Sequence, residues 1–368
     1  MSDAFDLERM LRPDLRGLAA YKPGKSIYAL SAELGIPVDR LIKIDANENP
    51  YGSSPKVYEA LAAYRRYHCY PDADQADLRQ ALAGYVGLPV EQIVAGNGSD
   101  ELIDLTLKLF LTPGDVMLNC PPTFGVYAFA ASMCGAEVVD IPRRDDFSLD
   151  IDAIERGLAT GALSRAKAIV ITSPNNPDGN LPPAGEIARL LALPLLVILD
   201  EAYIEFSGGS LSAWVSQHPN LIVLRTFSKW LGLAGLRVGY GLYPPAIAQH
   251  IWKIKPPFNV NVAAQVAAIA ALDDLAYFDA IRDRLVAERE RLLEALRGIP
   301  YLRPYPSQTN FVLVRVAGRG AAEVAAGLER RGILVRKFRE PELADALRFT
   351  VGKPEQMAAL VSALLEME

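Results

Sequence analysis

Residues 195–203 have the sequence LLVILDEAY, in which an unbroken apolar run ends directly at the carboxylate of Asp200. A short apolar run without polar alternation predicts a strand that is covered on both faces, which is typical of parallel sheets. A carboxylate at the end of such a strand needs a cationic or hydrogen-bonding partner, because an unpaired buried charge costs several kcal/mol. The stretch therefore predicts an α/β sheet with a functional acid at one edge.

Runs of the same apolar, β-branched character recur along the chain, separated by helical stretches. They lie at residues 92–95, 115–119, 136–141, 167–172, 221–224 and 238–242. This alternation predicts an α/β domain with a largely parallel sheet, whose functional residues lie at the carboxyl ends of the strands. After residue 259 the pattern changes to an alanine-rich helix, a long charged helix at 277–297 and strands at 310–316 and 332–338, which predicts a smaller α+β domain.

Composition and charge exclude several classes of protein. The 368 residues include 38 basic and 44 acidic side chains, a net charge of −6 without a block of like charges, so no nucleic-acid-binding face is expected. The longest apolar run, 190–199, is interrupted by Pro194, and the amino terminus lacks the apolar core of a signal peptide. The three cysteines and three histidines match no metal-binding spacing. We expect a cytoplasmic protein with no metal site, no membrane segment and no nucleic-acid partner.

The first candidate site is GNGSDE at residues 96–101, between a predicted strand and a predicted helix. A glycine turn that opens a helix presents free backbone N–H groups to a phosphate. The alternative is a simple helix cap, in which Ser99 or Asp100 satisfies the first turn. The segment is not the dinucleotide fingerprint, because Glu101 stands where that motif has its last glycine. Both interpretations stay open at this point.

Two further segments follow predicted strands. Thr226-Phe227-Ser228-Lys229 ends one strand, and a lysine there can act as an amine nucleophile, although most lysines are solvated surface residues. SPNNPDG at residues 173–179 is either a turn or a source of an amide donor for a ligand. With Asp200 and Arg237, these segments supply what pyridoxal phosphate requires: a lysine for the Schiff base, an acid for the ring nitrogen and donors for the phosphate.

The motifs together resemble a known family. Five segments are similar to the motifs of fold-type I pyridoxal-phosphate aminotransferases, specifically the histidinol-phosphate aminotransferases. They are SPNNPDG, DEAYIEF, RTFSKWLGLAGLRVGY, GNGSDE and DANENPYG. The similarity extends over about residues 21–351. It implies a mostly parallel seven-stranded sheet covered by helices in a large domain at 46–265. It also implies an amino-terminal arm with part of the small domain at 1–45, and a carboxyl-terminal small domain at 266–368.

The resemblance also implies a cofactor site. Lys229 would bind pyridoxal phosphate and carry the proton, and Asp200 would pair with the ring nitrogen. Asn176 and Tyr203 would form hydrogen bonds with the ring hydroxyl. The expected catalytic residues are Lys229, Asp200 and Tyr203. Phe124, in CPPTF, would stack on the ring. The phosphate would be held by residues from four segments: Gly98, Ser99, Asp100, Thr226, Ser228, Arg237 and, across a dimer interface, Tyr70.

For the substrate, the resemblance implies Arg336 in GILVRKF and Arg348 in LRFTVG, with Tyr21 of YKPGK contributed by the partner subunit. An arginine fork suits carboxylate and phosphate groups. Both arginines could instead be surface partners of Glu340 or Glu342.

We therefore expect a homodimer with a shared active site that exchanges the amino group between L-histidinol phosphate and glutamate, with 2-oxoglutarate as co-product, in histidine biosynthesis. An aromatic amino-acid aminotransferase and a threonine-phosphate decarboxylase are alternatives on the same fold; a transcription regulator would need a DNA-binding domain. The sequence departs from the family pattern at five positions, which leave the cofactor expectation intact and bear more on the substrate: Cys69, Phe124, Asp178, Trp230 and Thr309.

Overall fold

The structure is a computed structural model that describes residues 7–15 and 26–367. The strands of this described part are β1 Ile42–Ile44, β2 Ile93–Gly96, β3 Val116–Asn119, β4 Glu137–Asp140, β5 Ala166–Thr172, β6 Leu196–Asp200, β7 Leu221–Thr226, β8 Gly239–Leu242, β9 Leu302–Pro304, β10 Phe311–Val316, β11 Ile333–Lys337 and β12 Ala346–Thr350.

The helices of the same residues are α1 Leu7–Met10, α2 Ile27–Leu34, α3 Pro55–Ala63, α4 Ala76–Val86, α5 Ser99–Phe110, α6 Val126–Met133, α7 Ile151–Ala159, α8 Ala184–Leu191, α9 Pro245–Ile254, α10 Val262–Leu272, α11 Leu275–Arg297, α12 Ala321–Arg330 and α13 Pro354–Leu365.

The large sheet has seven strands in the described residues, in the order β2-β8-β7-β6-β5-β3-β4. The pairs from β4 across to β7 are all parallel, and β8 is antiparallel to both of its neighbours. The predicted α/β class with a mostly parallel seven-stranded sheet is confirmed, and each predicted run of this sheet is a strand.

The continuous apolar character of β6 has a direct structural cause. Val197 and Leu199 face one buried cluster, while Leu196 and Ile198 face another on the opposite side of the sheet. Side chains of α5, α6 and α9 form much of the second cluster, and α7, α8 and α10 contribute to the first. Since alternate side chains of a strand point to opposite faces, a sheet covered on both sides requires apolar residues at every position.

The small sheet has the order β1-β11-β12-β10-β9 among the described residues. Strand β1, from near the amino terminus, pairs in parallel with β11, whereas the other pairs are antiparallel. Helices α11 and α12 pack against this sheet. The expected boundary at residue 266 lies inside α10, which packs against α3 and α4. Within the described residues, no helix has the length and apolar character needed to cross a membrane.

Candidate active site

Polar side chains collect where neighbouring parallel strands end. Strand β5 ends at Thr172, β6 at Asp200 and β7 at Thr226. Because β8 is antiparallel, Gly239 at its start lies opposite both Thr226 and Gly96, the last residue of β2. The start of α5, three residues after Gly96, is therefore at the same edge of the sheet as these strand ends.

Asp200 is the buried acid of this edge, with only 3% of its surface exposed. Its Oδ1 accepts a hydrogen bond from the backbone N–H of Ala202 at 3.0 Å, and its Oδ2 accepts one from the hydroxyl of Tyr127 at 2.7 Å. Burial raises the pKa of Asp200 to about 6, while the two hydrogen bonds oppose that rise. The carboxylate is therefore held in place at a site where a cationic partner is strongly favoured.

Tyr127 is a residue of the site that the sequence reasoning missed. It is fully buried on α6, and its hydroxyl also lies 2.8 Å from Oγ1 of Thr172. The ring of Phe124, predicted to stack on the cofactor, packs edge-on against the Tyr127 ring at 5.7 Å. Phe124 lies just before the N-cap of α6 and Tyr127 in its first turn, so their closeness along the chain is the signal that could have linked them.

Lys229 lies just beyond the end of β7. Its Nζ donates a hydrogen bond to the backbone oxygen of Ala46 at 3.1 Å and lies 5.8 Å from the centre of the Tyr203 ring. Tyr203 is buried, and its hydroxyl accepts a hydrogen bond from Nδ2 of Asn47 at 2.9 Å. The structure thus brings the predicted amine and the predicted tyrosine together.

Asn47 is a second residue that the sequence reasoning did not assign, although it lies in the quoted motif DANENPYG. Its backbone has a φ of 56°, a left-handed conformation that asparagine tolerates better than most residues. Its backbone N–H donates to Oγ1 of Thr350 at 2.9 Å, and its carbonyl accepts from Nδ2 of Asn310 at 3.1 Å. These bonds tie the loop that faces Lys229 to the small sheet.

The glycine turn before α5 places the helix start beside the guanidinium of Arg237. Gly98 has a φ of 80°, and a Cβ on it would lie 2.6 Å from Nη2 of Arg237. That same guanidinium donates to Oδ2 of Asp100 at 3.0 Å. Helix α5 begins at Ser99 and its N-cap is Gly98 without a side-chain cap, so the alternative of Ser99 or Asp100 as a simple cap is wrong.

Thr226 and Ser228 complete this end of the site. The Thr226 hydroxyl donates to Oγ of Ser228 at 2.9 Å, and the backbone N–H of Ser228 donates to Oγ1 of Thr226 at 3.1 Å. Backbone N–H groups in the first turn of a helix have no partner within that helix. Hydroxyls, a guanidinium and a helix start together can hold a phosphate.

Arg348 connects the small sheet to the strand ends of the large one. It is 6% exposed, and its guanidinium donates to Oδ1 of Asn176 at 2.5 Å and to the backbone oxygen of Asp45 at 2.7 Å. Arg336 lies directly opposite Arg348 in the antiparallel pair of β11 and β12, so the two side chains share a face. Arg336 is partly buried and forms no ion pair within the described part of the chain. Among the described residues, neither Arg336 nor Arg348 forms an ion pair with Glu340 or Glu342.

Two predicted residues lie elsewhere. Tyr70 is at the surface, 82% exposed, with its ring stacked on Phe258 at 4.8 Å. Tyr21 lies outside the described residues.

Two of the departures from the family pattern have clear partners. Asp178 is buried and accepts hydrogen bonds from Nδ2 of Asn175 and the backbone N–H of Asn180. Trp230 donates to the backbone oxygen of Phe278 at 3.0 Å.

The assembled edge can hold a ligand with three different features. Asp200 suits a cationic ring nitrogen, Lys229 supplies a primary amine, and the α5 start with Arg237 suits a phosphate. Arg348 and Arg336 can bind further oxyanions beside it.

Comparison with known proteins agrees with this arrangement. The aminotransferase class I and II family matches residues 39–364. The histidinol-phosphate aminotransferase of Roseiflexus castenholzii (strain DSM 13941 / HLO8) is 48% identical over 97% of this chain and 98% of its own length. Histidinol-phosphate aminotransferase 1, chloroplastic, of Arabidopsis thaliana is 47% identical, covering 99% of this chain and 86% of that protein.

A solved structure shows the same architecture. The crystal structure of histidinol-phosphate aminotransferase from Sinorhizobium meliloti in complex with pyridoxal-5'-phosphate superposes with a TM-score of 0.86 at 30% identity, covering 97% of this chain and 96% of that one. The class I and II family matches most of the chain, and the relatives match it over nearly their full length. The chain belongs to the class I and II aminotransferases and, within them, to the histidinol-phosphate aminotransferase family.

Proposed function

We propose that this protein transfers the amino group of L-histidinol phosphate to 2-oxoglutarate, giving imidazole-acetol phosphate and L-glutamate, as a step of histidine biosynthesis. The observation that carries the proposal is the meeting of Asp200, Lys229 and the α5 start at one edge of the large sheet. Relatives that are 43–48% identical over nearly the whole chain carry the name of this activity. The reaction is reversible, since each direction exchanges one amino group for one carbonyl.

Pyridoxal phosphate fits the residues present. Asp200 is a buried acid for its ring nitrogen, and the guanidinium of Arg237 lies against the Gly98 backbone, which puts a cation beside the free N–H groups of the α5 start. Thr226, Ser228, Ser99 and Asp100 would hold the same phosphate. Asn176 and Tyr203 would bond the ring hydroxyl, and Phe124 would cover the ring face. When bound, this cofactor withdraws electrons from the substrate Cα and so makes its proton acidic.

The protein's own groups would then control the proton. Lys229 has a flexible stem and an amine anchored to the carbonyl of Ala46, from which it can turn toward substrate. It would remove the Cα proton with Nζ and return it later, acting first as general base and then as general acid. Asp200, fixed by Tyr127 and Ala202, would keep a proton on the ring nitrogen. The hydrogen bond from Asn47 would fix the orientation of Tyr203.

The two arginines of the small sheet would select the substrate. Arg348 and Arg336 lie on one face at directly opposed positions, which concentrates positive charge beside Asn176. Such a pair favours a substrate with a phosphate or carboxylate at the end remote from the reacting amine. Tyr21 would add a hydroxyl to this pocket from the partner subunit.

We further propose a cytoplasmic homodimer whose active site is shared between subunits. An exposed aromatic pair, Tyr70 and Phe258, supports this proposal, because large exposed apolar rings are typical of interfaces. Tyr70 would then reach the phosphate site of the partner. The chain would divide into an arm and strand at 1–45, a large domain and a small domain. We place the last boundary at the turn of Asp273 and Asp274 rather than at 266, because α10 is continuous through residue 266.

The test compares purified holoenzyme with L-histidinol phosphate, L-histidinol and L-phenylalanine as amino donors to 2-oxoglutarate. We expect kcat/KM for histidinol phosphate to exceed both others by about 100-fold or more, since each ion-paired hydrogen bond to phosphate contributes roughly 1.5–3 kcal/mol. Equal turnover of phenylalanine would favour the aromatic aminotransferase. Release of CO2 from threonine phosphate would favour the decarboxylase.

A further inference from the structure

A separate cavity of about 620 Å³ lies between the large sheet's loops and the small sheet. Its walls come from three segments: residues 143–149 after β4, residues 178–186 around the start of α8, and residues 305–308 before β10. Lys229, Asp200, Arg336 and Arg348 are not among its lining residues. Its volume is within the range of about 300–1,000 Å³ that is typical of small-molecule sites.

Arg143 supplies a buried cation to this cavity. Only 8% of the residue is exposed, and two of its nitrogens are used: Nε donates to the backbone oxygen of Cys120 at 3.1 Å and Nη1 to that of Phe147 at 3.0 Å. Its Nη2 is buried and has no hydrogen-bond partner among the described residues. Because a buried donor without a partner is costly, this nitrogen is prepared for an acceptor that enters the cavity.

Glu186 supplies the complementary anion from the first turn of α8. Its Oε2 is buried and also lacks a hydrogen-bond partner within the described residues. Burial raises the pKa of Glu186, and the charges of Arg144, Arg189 and, less strongly, Arg143 oppose that rise. Arg144 and Arg189 form ion pairs with carboxylates of α7 and its N-cap, whereas Arg143 lines the cavity beside Glu186. Yet no ion pair joins them in the described part of the chain. Arg143 and Glu186 therefore line one cavity without a direct ion pair between them.

The remaining walls favour a ligand with more positive than negative charge. Asp178, where the family usually has threonine, lines the cavity as a buried carboxylate, and Asp146 adds another at the surface. Three carboxylates thus face one arginine. Phe147 and Tyr305, whose rings pack edge to face at 4.8 Å, form an apolar wall that can hold an aliphatic stem.

We propose that this cavity is a binding site for a small α-amino acid with a basic side chain, distinct from the transamination site. The ligand's carboxylate would accept from Nη2 of Arg143, and an ammonium group would donate to Oε2 of Glu186. The second ammonium would lie near Asp178. The inference goes beyond the proposed transamination and does not depend on it.

The test is isothermal titration calorimetry of the holoenzyme with three probes of matched length. L-lysine has both charge types, L-norleucine lacks the side-chain ammonium, and cadaverine lacks the carboxylate. We expect saturable binding of L-lysine, with each other probe at least about 10-fold weaker, the factor that corresponds to one charge-assisted hydrogen bond.

Variants locate the binding. Glu186→Gln, which keeps the shape of the side chain, is expected to weaken L-lysine at least tenfold while kcat and KM for transamination stay unchanged. Arg143→Lys is expected to weaken L-lysine more than cadaverine. Glu294→Gln, at an exposed position on α11 and outside the cavity wall, is the control and should bind L-lysine normally. The proposal is overturned if no probe binds, if Glu186→Gln binds L-lysine like the wild type, or if Arg348→Lys alone abolishes that binding.

Discussion

The hydroxyl of Tyr127 donates a 2.7 Å hydrogen bond to Oδ2 of Asp200 and lies 2.8 Å from Oγ1 of Thr172. This bond connects α6 to the carboxyl ends of β5 and β6. It opposes the effect of burial on the pKa of Asp200, and it fixes the carboxylate without neutralising it. Tyr127 is therefore a positioning residue for the acid on which the proposed chemistry depends.

Removal of this bond by Tyr127→Phe should lower kcat/KM by about 10-fold, because a hydrogen bond to a charged group contributes roughly 1.5–3 kcal/mol. Without it the pKa of Asp200 rises, so the acid limb of the pH profile should move to higher pH. Steady-state assays from pH 5 to 9 measure both effects. Tyr243→Phe is the matched control, because Tyr243 is equally buried and its hydroxyl bonds to Oγ1 of Thr106 at 3.1 Å, away from Asp200. A Tyr127→Phe profile that matches wild type would remove Tyr127 from the account.

Asp200 should destabilise the cofactor-free protein at neutral pH. Burial raises its pKa from the ordinary value of 3.8 to about 6, so the folded state binds more protons than the unfolded state between these pH values. The contribution of Asp200 to the free energy of unfolding therefore falls by about 3 kcal/mol as the pH rises from about 4 to 6. Cofactor-free Asp200→Asn should be more stable to urea than wild type at pH 7.5 and gain nothing at pH 4.

The control for this experiment is Asp283→Asn, which alters an exposed carboxylate on α11. It should show no comparable difference between the two pH values. Equal stability of Asp200→Asn and wild type at pH 7.5 would contradict the assigned burial cost.

Gly98→Ala should weaken cofactor binding. A φ of 80° disfavours any side chain, and the new methyl group would collide with Nη2 of Arg237. Gly161 has the same φ of 80° but open space around it, so Gly161→Ala carries only the backbone cost, about 1 kcal/mol. We expect the Kd for pyridoxal phosphate to rise about 10-fold more in Gly98→Ala, measured by fluorescence titration. Equal affinities in the two variants would show that the turn does not hold the phosphate.

Arg348→Lys should raise the KM for histidinol phosphate and glutamate by roughly 10–100-fold, because lysine cannot reproduce the planar fork that meets Asn176, Asp45 and an oxyanion. Arg339→Lys, at an exposed position beyond β11, is the control and should leave KM unchanged. Steady-state kinetics with each substrate varied in turn measure the effect. A KM close to wild type in Arg348→Lys would place substrate recognition elsewhere.

The large sheet was predictable because its signal is local. Each of its strands is a short apolar run, and the predicted limits of β6 and β3 differ from the observed ones by one residue. The small sheet was predicted only in part, since β1 pairs with β11 across almost the whole chain, as Ile42 opposite Ile333 shows. No periodicity within a segment encodes a partner at that separation.

The same distinction applies to the site. Asp200 and Lys229 were found because they end apolar strands. Tyr127 was missed because a tyrosine in an apolar helix resembles any core residue, and its hydrogen bond to Asp200 depends on packing between α6 and the sheet. The contact between Arg348 and Asn176 joins the two sheets, so the resemblance could suggest both residues but not their pairing.

The most direct test of the central claim is a spectrophotometric half-reaction of the purified holoenzyme. The holoenzyme is mixed with L-histidinol phosphate in the absence of 2-oxoglutarate, and the absorbance change of the bound cofactor is followed. The same measurement is made with L-phenylalanine. The account predicts rapid, complete conversion by histidinol phosphate, conversion at least about 100-fold slower by phenylalanine at equal concentration, and none in Lys229→Ala. Faster conversion by phenylalanine, or turnover by Lys229→Ala, would contradict it.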